Sequence, residues 1–198
     1  MVAARWSRHG VRITTRPDLP TAFVFGAIAP VRAGLLLGVL TLLFGYLMGV
    51  TFGLNEDLIR DRLQASATAA GPTVYAADPA AADAVLEKSW SYMQRAHLHA
   101  GALGTATIAL SLVLVMLGTG AALARTLSIA LGAGGLGYSI FWMLAGFRAP
   151  GLGSTGAAKE SLALLAIPSS GAVVLSTAII AALLVAAIAR PATHSGPQ

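Results

Sequence analysis

The feature that most constrains this chain is the length of its apolar blocks. Four of them run over about 32–54, 96–117, 126–147 and 161–189, and the only charge in them is Arg32 at the first edge. Each is close to the ~20 residues that an α-helix needs to cross the ~30 Å hydrocarbon core of a bilayer. Lipid offers no hydrogen bonds to a peptide group, so helices and closed barrels are the structures that cross it. Apolar runs of this length, without polar–apolar alternation, read as helices. The expected fold is an all-α, multi-pass integral membrane protein with four transmembrane helices.

Composition agrees. The chain has 198 residues, 56% hydrophobic and 11% charged. A soluble domain carries roughly 25% charged residues, and a disordered chain is poorer in apolar ones. The formal net charge is +5. Arg5, Arg8, Arg12, Arg16 and Arg32 all precede or open the first block. The positive-inside rule assigns such a terminus to the cytoplasm, and four crossings return the C-terminus to the same side. In a bacterium the expected location is the cytoplasmic membrane. The block from Ala33 to Leu54 exceeds the ~7–15 residues of a signal h-region, so it reads as an uncleaved first span. No basic patch is interleaved with aromatics, which argues against nucleic acid. With no cysteine, disulfides, zinc–thiolate sites and iron–sulfur clusters are excluded.

The organisation follows from the breakers. Residues 1–31 form a basic cytoplasmic tail with a short apolar segment, 19–31, too short to span and expected at the interface or against the bundle. Residues 32–190 form the four-helix bundle. Residues 55–67 have helical composition and no breaker, so span one is expected to continue as helix beyond the membrane. Gly71-Pro72 is expected to break the chain into a loop. Asp78-Pro79 is a helix start, with Asp as N-cap and Pro in the first turn. From there nothing interrupts before Gly118, which implies a helix of about 39 residues, roughly 58 Å long. Its first half should stand outside the membrane beside the extension of span one, making 55–95 a helical hairpin. Tyr138, Phe141, Trp142 and Phe147 end span three at an interface, and 148–160 is an outer loop. Pro168 in span four frees the carbonyl of Leu164 and predicts a kink. Residues 191–198 are expected to be a disordered tail.

The glycines of span one are ordered. Gly34, Gly38, Gly45, Gly49 and Gly53 fall within one arc of about 100° at 100° per residue. Such a face lets another helix approach closely, and Gly101 and Gly104 suggest a matching face on the second span. Two matches to G-x-G-x-x-G, at 132–137 and 151–156, lack the strand and acidic residue of a dinucleotide fingerprint, so no nucleotide is expected.

One constellation carries possible chemistry: residues 92–104, YMQRAHLHAGALG. His97 and His99 are two residues apart, so on an unbroken helix their rings point about 200° apart and cannot share a metal. Leu86, Trp90, Met93, His97, Gly101, Gly104, Ile108 and Ser111 fall on one arc of about 80°, expected to face the bundle. Arg95 and His99 are expected to face water or headgroups. An inward His97 has two readings. It is either a buried polar group hydrogen-bonded to a neighbouring helix, or a ligand for haem or copper with Met93 as partner. Glu56, Asp57 and His99 are possible contributors to such a site, with Met48 and Met143 as further thioethers.

Three functions follow. The first is a non-catalytic accessory or assembly subunit of a membrane complex, partnered by the lipid bilayer and by another membrane subunit or another copy. The second is a haem- or copper-binding redox protein with its site around His97 at the outer membrane boundary. The third is a small transporter or channel, disfavoured by the lack of acidic residues within the spans.

Overall fold

The computed structural model describes residues 26–76 and 78–189. The basic tail, including Arg5, Arg8, Arg12 and Arg16, and the C-terminal tail 191–198 lie outside the described residues. Among the described residues six α-helices follow one another: α1 (Arg32–Leu54), α2 (Glu56–Val74), α3 (Pro79–Met116), α4 (Ala121–Leu152), α5 (Thr155–Glu160) and α6 (Ala163–Ile188). A 3-10 turn at Ala29–Val31 leads into α1, and Val31 is fully buried against the bundle. Four stretches are long and apolar enough to cross a membrane: Gly26–Leu54, Pro79–Met116, Ala121–Leu152 and Ala163–Ile188.

The start of α3 is as the sequence dictates. Asp78 Oδ1 accepts hydrogen bonds from the amides of Ala80 at 3.0 Å and Ala81 at 3.2 Å, with Pro79 at the first position. These amides have no partner within the helix, and a carboxylate there also meets the positive end of the helix dipole.

Two expectations fail. First, the helix of span one does not run on without interruption. Asn55 has φ −155° and ψ 61°, outside the helical region, and separates α1 from α2. Asparagine competes with the helix for its own backbone groups, and Gly53 just before it lowers the local propensity. Second, Gly71-Pro72 does not end the helix, since α2 continues to Val74. The carbonyl of Thr68, which loses its amide partner to Pro72, belongs to an exposed residue, so the proline disrupts little. The chain turns after Tyr75, where Ala76 takes the left-handed conformation at φ 46°.

Helices α1, α3 and α4 pack on one another, and α6 lies along α4. The seams are lined with small residues. Gly38 of α1 and Gly104 of α3 face each other: a Cβ on Gly104 would stand 2.9 Å from the Gly38 carbonyl, and one on Gly38 3.2 Å from the Gly104 carbonyl. Gly34 lies against Ser128 of α4, and Gly45 against Ala100 of α3. On α4, Gly132 meets Leu37 of α1, Gly134 meets the Ser169 carbonyl of α6, and Gly146 meets the Ser89 carbonyl of α3. Gly53 and Gly101, placed on the packing faces by sequence, have open space where a Cβ would go.

This contrast generates a prediction. Leucine at Gly34 or Gly104 should lower the thermal midpoint in detergent by several degrees, because backbone must separate. Leucine at Gly53 or Gly101 should leave it unchanged. Equal effects at all four would mean that the seams do not hold the bundle.

The α2 helix is tied to α4 at its far end. Tyr75 Oη donates to the Pro150 carbonyl at 2.6 Å. Pro150 stands in the last turn of α4, where its carbonyl also accepts from the Gly153 amide at 3.4 Å, so the phenol adds a second and shorter hydrogen bond to an acceptor with two lone pairs. Burial pushes the Tyr75 phenol above its ordinary value. The folded protein therefore holds this proton where the unfolded chain has begun to lose it, and stability falls as pH rises past the ordinary tyrosine value of about 10. Tyr75→Phe should speed hydrogen exchange over residues 68–78 and flatten the alkaline loss of stability. An unchanged alkaline limb would sink this account.

Candidate functional site

The buried stripe of α3 runs through Ser89, Tyr92, Met93, Ala96, Ala100, Gly104, Thr107, Ser111 and Leu114. Steps of three and four residues keep it on one face. At 100° per residue, His97 lies about 70° to one side of its midline and His99 about 90° to the other. The two histidines therefore meet different neighbours.

His97 turns to α1. Its Nδ1 stands 2.8 Å from the Gly45 carbonyl. A carbonyl only accepts, so Nδ1 carries the proton and donates, which leaves the Nε2 lone pair uncommitted. The ring lies over Gly49, where a Cβ would come within 2.8 Å of Cε1. Phe52, one turn on, meets it edge to face at 5.7 Å between centroids. Of the ordered glycines of span one, Gly49 thus makes the space that this imidazole occupies, and Gly45 offers the carbonyl that it bonds.

His99 turns to α4, not to the medium as the sequence suggested. It meets Tyr138 at 5.1 Å and Trp142 at 6.1 Å, and its Nδ1 bonds the Arg95 carbonyl at 2.7 Å. The Arg95 guanidinium sits 5.0 Å from the Trp142 ring centroid and 5.5 Å from that of Tyr92. A helix with one buried stripe would leave this face free. α3 is wedged between α1 and α4, so the face is covered.

The remaining candidates disperse. Met93 is fully buried, and its methyl end lies against Gly146 of α4. Glu56 pairs with Arg60 one turn along α2, and Arg60 stacks 4.2 Å over Trp90. Asp57 is exposed. Among the described residues no group of three or more His, Asp or Glu is placed to hold a metal ion. Met48 and Met143 do come together with Met93, around a cavity of about 390 Å³ between α1, α2, α3 and α4. Arg62 stands at its rim. Arg62 does not stand out in the sequence. The available signal was the i, i+4 pairing of Glu56 with Arg60, which leaves the next basic residue of the segment without an acid at that spacing.

The arrangement defines a class: among the described residues, an all-helical fold with four helices of transmembrane length and composition, joined along glycine-lined seams. No protein-family model matches the chain, and neither a curated protein nor a solved structure matches it.

The contact of His97 with Gly49 can be tested by a double-mutant cycle. His97→Ala should destabilise by about 1–3 kcal/mol through the lost hydrogen bond and the void. Gly49→Ala should also destabilise, because its methyl meets the ring. In the double variant that methyl enters the vacated space, so the loss should fall below the sum of the two. Additive losses in detergent unfolding would show that the ring does not rest on Gly49.

Proposed function

We propose that this chain is a non-catalytic accessory or assembly subunit of a membrane complex. The supporting observation is the use made of its reactive side chains. The imidazole of His97 clamps α3 to the Gly45 carbonyl of α1, and the phenol of Tyr75 ties α2 to the Pro150 carbonyl of α4. The carboxylate of Glu56 is paired within α2. Groups that elsewhere do chemistry are spent on joining helices. In this reading the four apolar helices cross the bilayer, both termini lie on the cytoplasmic side, and α2 stands beyond the opposite surface with the first half of α3 as a helical hairpin. The partner is another membrane subunit or another copy of the chain.

A second reading is favoured by one detail. A histidine that gives its Nδ1 proton to a backbone carbonyl is held in the tautomer and orientation that metal ligation by Nε2 requires. In this second reading haem or copper would be bound by His97, in a redox protein whose remaining ligands come from outside this chain.

One purification separates the two. Protein extracted from its native membrane in mild detergent should be colourless, free of stoichiometric metal, and held with a partner chain at fixed ratio. A Soret band or one metal per chain, lost in His97→Ala, would overturn the accessory reading in favour of the redox one. A colourless monomer without a partner would overturn both.

A further inference from the structure

The cavity beside the three methionines continues past Arg62. A second space, of about 600 Å³, is lined by Arg62, Ala65, Ser66 and Phe147, and Arg62 and Phe147 border both. The result is one groove with two chemistries. Its lower part is walled by Phe44, Met48, Met93 and Met143, drawn from the apolar helices. Its upper part adds a hydroxyl and a guanidinium from α2. Leu47 and Leu58 also line the lower part, and they are 59% and 61% exposed, so this part of the groove reaches the outer surface of the bundle.

Charge singles out the occupant. The other described arginines at this end are engaged: Arg60 with Glu56 and Trp90, Arg95 with Tyr92 and Trp142, Arg148 with Ser161. Arg62 has no ion pair or hydrogen bond among the described residues. Its sequence neighbour Asp61 lines a different groove, between α2 and α3, with Asp83 and Glu87. A guanidinium above an apolar groove matches an anion that carries a hydrocarbon tail. Thioether walls adapt to flexible chains, and the pocket volumes are those of sites for molecules of that size.

We propose that this groove binds one anionic phospholipid drawn laterally from the bilayer. Arg62 holds the phosphate, Ser66 adds a hydrogen bond, and an acyl chain lies between Met48, Met93 and Met143. The proposal rests on the reading that the four apolar helices cross the bilayer but not on the accessory role, since a lipid is counted separately from a protein partner.

The experiment uses the full chain in mild detergent, offered phosphatidylglycerol or phosphatidylcholine with the same acyl chains, with bound lipid counted by native mass spectrometry. The wild type should retain one phosphatidylglycerol and little phosphatidylcholine. Arg62→Gln should weaken retention about tenfold, Arg62→Lys should keep the preference for the anion, and Arg60→Gln should leave it intact. Met143→Trp, which fills the lower groove without touching the charge, should also expel the lipid. Circular dichroism confirms that each variant is folded. Equal retention of the two lipids, or retention unaffected by Arg62→Gln, overturns the proposal. So does binding of a single-chain alkyl phosphate without phosphatidylglycerol, which would mark a water-borne amphiphile. A partner helix cross-linked into the groove in place of lipid would overturn it as well.

Discussion

The structure depends on the close approach of helix backbones. Its outer surface is aliphatic: Leu36 is 60% exposed, Leu43 50% and Leu164 94%. A surface of that kind suits the proposed bilayer, a medium as apolar as the protein interior. There, burying another leucine gains little, because lipid tails solvate it equally well. What remains is dispersion between closely fitted atoms and the hydrogen bonds that fitting permits. Glycine at Gly34, Gly38, Gly104 and Gly132 supplies the fit. The clamp made by His97 is its consequence, since the imidazole reaches the Gly45 carbonyl only because Gly49 carries no side chain on that face.

Hydroxyl residues join the seams on the same terms. Thr41 donates to the Leu37 carbonyl, Ser89 to Val85 and Ser139 to Gly135, each one turn back along its own helix. A serine satisfied this way presents only a small surface to its neighbour, so it packs much as alanine would. Ser111 Oγ and Trp142 Nε1 are buried without a hydrogen-bond partner among the described residues. Each lies in a seam where α3 and α4 meet other helices, and each carries the cost of an unpaired polar group in a dry setting. Tight packing has been kept there at the expense of polar satisfaction.

What could be read in advance was what is local. The four apolar helices followed from block length, and the start of α3 from Asp78 and Pro79, since both rest on interactions within a few residues. The glycine arc of α1 was visible because its glycines lie on one face. The faces of α4 were not, because its glycines are so frequent that no single arc stands out. Gly132, Gly134 and Gly146 each serve a different neighbour, so their lack of one periodicity is itself the mark of a helix packed on several sides. The same limit applied to His99. A rotation about one helix axis shows which residues share a face but not how many faces are covered. Asn55 was missed because a single asparagine in a helical window is a weak signal. Whether it breaks the helix depends on where the next segment docks.

That docking explains why a groove exists at all. If α1 had run on straight, its continuation would have no reason to lean on α4. The break at Asn55 lets α2 take its own direction, and two contacts fix where it goes: Ser66 beside Gly151 and Tyr75 on the Pro150 carbonyl. Both partners belong to the last turn of α4. The chain therefore leaves α1, crosses over the space between α1 and α4, and is fastened on the far side. Phe44, Met48 and Met143 line the lower part of that space, Leu58, Ile59 and Arg62 lie above, and Met93 of α3 closes the back. Residues from four helices meet there, and no short window of sequence contains them. Arg62 is set at the rim by the helical register of α2, in which Ile59 and Leu63 turn inward as buried residues while Arg62, about 60° round the wheel from Ile59 on the side away from Leu63, is left at the edge. The cavity and its charge thus come from one irregularity in the chain and the two contacts that fasten it.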